Sequence, residues 1–296
     1  IKLLFSLVVI MDKYSNEKKI DNNRLNSLNK DKNVLSYFGD WTQKVDELSP
    51  SFLNALPFEH IIIDHFLEAS FADLLHDSYP TNYDNWYKYE NPIEMKYTFD
   101  DIFSLNHSIQ DYFHLLCTDD FIHIMRRLTG QTDITFDEYM HGAGLHCHPT
   151  NGKLNIHLDY EKHPITGLER KINIILFLTK GWNPEWNGQN ELWDKTAKNC
   201  VVKTDVVFNR AIIFKTNDIS FHGLPRRINC PQDKFRKTMA FYYVSPLNNS
   251  KREEEYRKKA KYVITDEDEM ENEKMHRLCL IRSNRRLTKE DLYDYN

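Results

Sequence analysis

Apolar positions follow two different rhythms along the chain, and the change between them divides it. Before about residue 131 they recur at helical spacing. Residues 57–67, with Ile61, Ile62 and Ile63 ahead of Phe66 and Leu67, read as a strand leading into a helix. The stripe continues through Phe71, Leu74 and Leu75, and Pro80 lies just beyond as a stop. A second helix is predicted over 102–116, with Ile102, Leu105, Ile109, Tyr112, Phe113 and Leu116 on one face. A third is predicted over 118–128. Thr118 is its N-cap, Asp119 and Asp120 oppose the positive end of its dipole, and Gly130 ends it. Between the first two helices, 79–99 carries Tyr83, Trp86, Tyr87, Tyr89, Tyr97 and Phe99 among polar residues. This stretch reads equally as a substrate-covering loop or as an aromatic cluster packed on the main body.

From residue 132 the period shortens. Short β-rich runs at 134–140, 144–148, 153–159, 171–179, 189–193, 200–204, 206–215, 221–224 and 237–244 are separated by Gly, Pro and Asn. Many short strands so spaced predict a mainly β fold with flanking helices: a jelly roll or double-stranded β-helix of cupin-like type. Outside this core the pattern weakens. Residues 12–34 are polar with isolated Leu and read as a flexible leader, with order beginning near Val34. After Pro246 the chain is charged: a helix is predicted over 251–261, an acidic run over 266–273, and a further helix or arm over 275–295. A solvated face is the expected role of this arm, and a dimer-forming arm the alternative. The division is therefore 1–34 leader, 35–131 support region, 132–247 core and 248–296 charged arm.

Composition narrows the class only a little. With 296 residues, 41% hydrophobic and 28% charged, the chain can bury a sizeable core. A net charge of −5 gives no general pull toward nucleic acid or an anionic membrane. Five cysteines without C-x-x-C spacing argue against a disulfide framework or zinc module and for a cytoplasmic, reducing setting. The apolar run at 3–11 is too short to span a bilayer and has no small-x-small cleavage site behind it, so it reads as a disordered leader, with a secretory or anchor segment as the alternative.

The chemistry is carried by three stretches inside the β-rich region. In 154–160, His157 and Asp159 are two apart on a strand and so point to one face. His222, in Phe221-His222-Gly223, can add a second imidazole. Two imidazoles and one carboxylate leave coordination positions open and suit non-haem Fe(II). Arg236, Thr238 and Ala240 share the face of a later strand, where one cation can hold a dicarboxylate cosubstrate. A lone H-x-D is more often a surface pair, so the order of all three pieces is what gives the reading weight. His146 and His148 form another i, i+2 pair and read as strand-edge or cosubstrate-side groups.

At these residues, from about 57 to 246, the chain resembles the Fe(II)/2-oxoglutarate-dependent oxygenases, in the prolyl hydroxylase branch. It looks closest to a group found in bacteria and large viruses. The strongest parts are 156–159, 170–178, 182–193, 208–214, 222–225 and 236–238. The resemblance implies Fe(II) on His157, Asp159 and His222, with 2-oxoglutarate and O2 as cosubstrates and ascorbate as an optional reductant. It implies contacts from Arg236 and Thr238 to the far carboxylate of 2-oxoglutarate, with Asn173 a candidate polar contact. Three departures stand out: His148 where the branch has a Tyr, Phe177 where a hydroxyl-bearing aromatic is common, and Gly188 alone in a turn that usually has two glycines. The implied reaction is hydroxylation of an unactivated C–H bond coupled to decarboxylation of 2-oxoglutarate. A prolyl side chain of a protein or peptide ranks first as substrate, and a sugar or small metabolite second. Nucleic acid ranks last, because position 242, where nucleic-acid demethylases carry a second Arg, is Tyr. A cupin-like metal-binding module without oxygenase activity is the alternative of another class.

Overall fold

The computed structural model describes residues 20–248, 250–265 and 273–293. The helical support comes first: α1 (Asn22–Leu28), α2 (Val45–Leu53), α3 (Ala69–Ser78), α4 (His107–Leu116) and α5 (Asp119–Thr129). The ends of α5 form as the sequence predicts, whereas α4 starts at His107 rather than at 102, after a 3-10 turn at Ile102–Ser104. The Thr118 side chain accepts from the Phe121 amide at the start of α5, and Gly130 closes it in the left-handed conformation at φ 67°. Asn106 caps α4 in the same way. The apolar stripes of both helices are buried, with Phe113 and Phe121 fully covered. Burial of each such side chain contributes roughly 1.5–3 kcal/mol.

The strands are β1 (His60–Ile63), β2 (Tyr87–Glu90), β3 (Glu94–Phe99), β4 (Thr135–Phe136), β5 (Gly144–His148), β6 (Lys153–Leu158) and β7 (Glu169–Phe177). They continue with β8 (Asn190–Trp193), β9 (Cys200–Thr204), β10 (Arg210–Lys215), β11 (His222–Leu224), β12 (Arg236–Ser245) and β13 (Lys261–Tyr262). All join one 13-stranded sheet in the order β1-β10-β7-β12-β5-β3-β6-β11-β8-β9, with β4 on β12, β2 on β3 and β13 on β6. Every pairing is antiparallel. This is the mainly β, double-stranded β-helix architecture with flanking helices. Its two faces separate cleanly. Ile174, Leu176 and Ile213 face the helices in the main core, whereas Phe177, Ile212 and Phe214 from the same strands form an inner cluster with Phe58, Leu192 and Val206.

Three sequence expectations need correction. The leader does not extend to residue 34, because α1 forms at Asn22–Leu28 and buries Leu25 and Leu28. Two isolated leucines one turn apart suffice once a neighbouring helix covers them. The apolar run at 3–11 lies outside the described residues. The 79–99 stretch is a β-hairpin whose second strand, β3, sits between β5 and β6. Tyr79 and Trp86 belong to the main core, so most of its aromatic density is packing. Residues 251–261 are not a helix. They hold a 3-10 turn at Glu253–Glu255 and then an extended chain whose strand β13 pairs with β6. The last element, α6 (Glu273–Arg282), packs Met275, Leu278 and Cys279 with Tyr262 and Ile93, so the arm lies on its own chain. The rest of the acidic run, 266–272, lies outside the described residues. Among the described residues no helix is long and apolar enough to cross a membrane.

Candidate metal centre and cosubstrate chamber

β6 and β11 bring the two halves of the site together. Their register places His222 directly opposite His157. Gly223 makes the approach possible: a Cβ there would lie 2.7 Å from the Leu154 carbonyl oxygen and 2.9 Å from that of Asn155. His157 Nδ1 lies 2.9 Å from the Asn155 carbonyl oxygen, and His222 Nδ1 lies 2.8 Å from that of Ser220. A carbonyl only accepts, so each Nδ1 carries the proton and donates, and each Nε2 presents its lone pair. Those Nε2 atoms lie 3.7 Å from Asp159 Oδ1 and Oδ2 respectively. Ligand atoms of His157, Asp159 and His222 all lie within 4.8 Å of one another, and the three residues are buried.

The electrostatics suit a cation. Burial, then the neighbouring His222, lowers the His157 imidazole to about 3, and burial also lowers His222, so both rings are neutral at physiological pH. Burial alone would raise Asp159. The nearby Arg170, His222, His157 and Arg257 outweigh it and hold the carboxyl down to about 2. Arg170 Nη1 lies 3.5 Å from Asp159 Oδ2, and its guanidinium sits between the rings of Tyr160 and Tyr242 at 3.8 and 3.4 Å. Asp159 Oδ2 still has no hydrogen-bond partner. Two neutral imidazoles and an ionised carboxylate with an unsatisfied oxygen are a donor set that fits Fe(II).

Arg236, on β12, is 2% exposed. Its Nε donates to the Gly188 carbonyl at 2.7 Å, and its guanidinium lies over the Phe177 ring at 4.9 Å. Gly188 wraps this side chain at φ +90°, and a Cβ there would meet Arg236 Cδ at 3.2 Å. Among the described residues the Arg236 guanidinium has no carboxylate partner, and burial pushes it down to about 9, still charged at neutral pH. An unpaired buried charge is costly, so an anion at this position would offset that cost. Thr238 is buried on the same face, and its hydroxyl reaches the His146 carbonyl at 3.4 Å. His148 stands opposite Arg236 in the β5–β12 register, and neither of its buried ring nitrogens has a hydrogen-bond partner. His146 feels Arg236 and also Asp159, and burial lowers it to about 3. It therefore lies in the field of both the basic pocket and the metal-type triad. Asn173 is buried opposite Tyr242, with Oδ1 unpartnered.

His157, Asp159, His222, Arg236, Thr238 and Asn173 are thus buried, and His146 half-buried, all carried by the β-helix strands or the segments at their ends. Phe177 packs under Arg236 and offers no hydrogen bond, as its chemistry requires. Asn209 is structural: its side chain bonds both the amide and the carbonyl of Leu67. Arg210 is engaged with Asp64 at the surface. Arg170, Lys96, Arg257 and Tyr262, which also shape the site, were not singled out as site groups. Arg170 had a signal, as a cation at the start of an apolar strand. The other three act through tertiary contacts that leave no local pattern.

Comparison with known proteins agrees with this geometry. Residues 143–245 match the 2OG-Fe(II) oxygenase superfamily. No curated protein matches the chain. Among solved structures, a prolyl hydroxylase from Trichoplax adhaerens, in complex with a hypoxia inducible factor oxygen degradation domain peptide fragment, is 19% identical with TM-score 0.50. That match covers 71% of this chain and 96% of the other. A Pseudomonas putida prolyl-4-hydroxylase is 14% identical with TM-score 0.51, covering 69% of this chain and 100% of the other. At these identities the structural likeness is one of fold. Residues 143–245 thus carry a match to the 2OG-Fe(II) oxygenase superfamily, which supports a 2-oxoglutarate-dependent dioxygenase, and the chain has the fold of the prolyl hydroxylases.

Proposed function

We propose that this dioxygenase hydroxylates a prolyl side chain of a peptide, with Fe(II) on His157, Asp159 and His222 and 2-oxoglutarate anchored by Arg236 and Thr238. The observation behind this is the pairing of two features in one barrel. A convergent pair of Nε2 atoms and a carboxylate lies in the same field as a buried guanidinium that has no acid. When bound, iron would activate O2 with 2-oxoglutarate as the two-electron donor, one oxygen atom going to the hydroxylated C–H bond and the other to succinate as CO2 is lost.

The chain's own residues do the rest. The Asn155 and Ser220 carbonyls hold the two imidazoles in the tautomer that leaves Nε2 free. Arg170 keeps Asp159 ionised. The Gly188 carbonyl accepts the hydrogen bond from Arg236 Nε, so the terminal nitrogens remain for a carboxylate in the two-pronged geometry that Arg offers and Lys does not. Asn173 and His148 supply further polar atoms in the same buried interior. The inner aromatic and aliphatic cluster around Phe177 excludes water from this end of the barrel. The peptide bound by the Trichoplax adhaerens prolyl hydroxylase, whose fold this chain shares, supports a peptide first, and five cysteines with no disulfide among them favour a reducing compartment such as the cytoplasm.

The test supplies Fe(II), 2-oxoglutarate and O2 with a set of proline-containing peptides and, separately, with sugars. Succinate and the added oxygen atom are measured. Peptide-dependent succinate with oxygen on proline is expected. Coupling to a sugar alone would replace the prolyl assignment, and no substrate-dependent succinate from any source would remove the hydroxylase reading.

A further inference from the structure

The C-terminal arm lies beyond the residues that match the family, and it closes on β6, the strand that carries His157 and delivers Asp159 from its end. β13 pairs with β6 so that Tyr262 stands directly opposite His157, and the Val263 amide donates to the Ile156 carbonyl at 3.0 Å. The two rings stack, 5.1 Å between centroids and 15° between planes. His222, His157 and Tyr262 therefore form one row across three adjacent strands. Tyr262 is itself fixed. Its hydroxyl reaches Glu94 at 3.4 Å, and Arg282 of α6 holds the other oxygen of that carboxylate at 2.5 Å. The Arg282 guanidinium also covers the Tyr262 ring at 4.8 Å.

A second brace lies a few residues earlier. Arg257 Nε donates to the Asp159 carbonyl at 2.7 Å, and its Nη2 donates to the Asn217 carbonyl at 3.2 Å. Asn217 and Ser220 bond to each other, and the Ser220 carbonyl is the one that orients His222. One guanidinium thus ties the end of the H-x-D strand to the loop that delivers the second imidazole. Glu161 holds Arg257 in place, accepting from its backbone amide at 2.9 Å.

We infer that Arg257 and Tyr262 are positioning residues of the metal centre, so that the arm completes the site. The inference rests on the reading of His157, Asp159 and His222 as metal ligands. The arm sets the ring plane of His157 through Tyr262 and the spacing between Asp159 and His222 through Arg257. Neither residue belongs to the three-residue ligand set. Partners that orient ligands typically change metal affinity by about 10–100-fold when removed.

The test titrates Co(II) into the metal-free full chain and follows affinity and the visible absorption of the bound ion. Tyr262→Leu and Arg257→Met are expected to weaken Co(II) by about 10–100-fold and to alter the band shape, as loosened ligand geometry requires. Tyr262→Phe, which keeps the ring, is expected to restore both. Leu128→Ala, in the core of α5 far along the chain, serves as the control for general destabilisation and is expected to retain wild-type affinity. If Tyr262→Leu does not fold, Arg257→Met carries the test alone. Wild-type affinity and spectrum in Arg257→Met and in any folded Tyr262→Leu would overturn the proposal, as would an equal loss in Leu128→Ala. If the wild type binds Co(II) no better than His222→Ala, the ligand assignment itself fails and this proposal falls with it.

Discussion

At the scale of single residues, the site is defined by which atoms are already satisfied. The two Nδ1 atoms are spent on backbone carbonyls, the Arg236 Nε on Gly188, and what remains points at a ligand. This separates two functions that can be removed independently. Arg236→Met is expected to weaken 2-oxoglutarate by about 2–5 kcal/mol, the scale for deleting one member of a buried charge pair, with metal affinity unchanged. Asp159→Ala is expected to abolish metal binding while the fold, followed by circular dichroism, survives. Separate titrations of metal and of 2-oxoglutarate check both, and equal losses of both ligands in Arg236→Met would contradict the division. Gly223→Ala is a subtler case. Its Cβ would press on two carbonyl oxygens of β6, so β11 must shift and carry His222 away from His157. A destabilisation of about 1–3 kcal/mol by urea unfolding, the scale for overpacking, together with weakened metal binding, is the expected outcome.

At the scale of elements, legibility followed locality. Helix α5 was readable because cap, stripe and stop all lie within one short segment, whereas α4 was readable from its stripe alone, which places its start too early. The H-x-D strand was readable because period 2 alone puts His157 and Asp159 on one face. The 79–99 hairpin was not, because its aromatics alternate without a clean period and β3 pairs with strands far away in sequence. Its Trp86 is 6% exposed and contacts the rings of Tyr79, Tyr83 and Phe99. Trp86→Ala is therefore expected to cost about 3–5 kcal/mol of stability, as for large aromatic deletions in a core, measured by denaturant unfolding. A loss near zero would return the hairpin to the status of a mobile cover. Strand β13 was missed for the same reason. Two residues in a Lys-rich stretch carry no strand signal of their own, and only the open edge of β6 makes them one.

At the scale of the whole molecule, a few short strands from distant parts of the chain meet at one mouth, and the fold exists only when they do. The buried groups left without partners, Asp159 Oδ2, His148 and Asn173 Oδ1 among them, lie in this interior, where an unmet hydrogen bond typically costs about 1–3 kcal/mol each. Ligands that satisfy such groups bind the native state alone, so they must raise the unfolding temperature. At ligand concentrations near 100 times Kd the gain is about 2.7 kcal/mol per site. Thermal melts with Co(II), with 2-oxoglutarate and with both are expected to show rising midpoints in the wild type. The metal increment should vanish in Asp159→Ala.

The account's central claim is that the imidazole–carboxylate triad and Arg236 together form one metal-dependent 2-oxoglutarate site. Anaerobic calorimetric titration of 2-oxoglutarate into Fe(II)-loaded and metal-free protein tests it most directly. Tight binding that requires iron, and that is lost in both His222→Ala and Arg236→Met, is the predicted result. The same affinity with and without iron would contradict the claim.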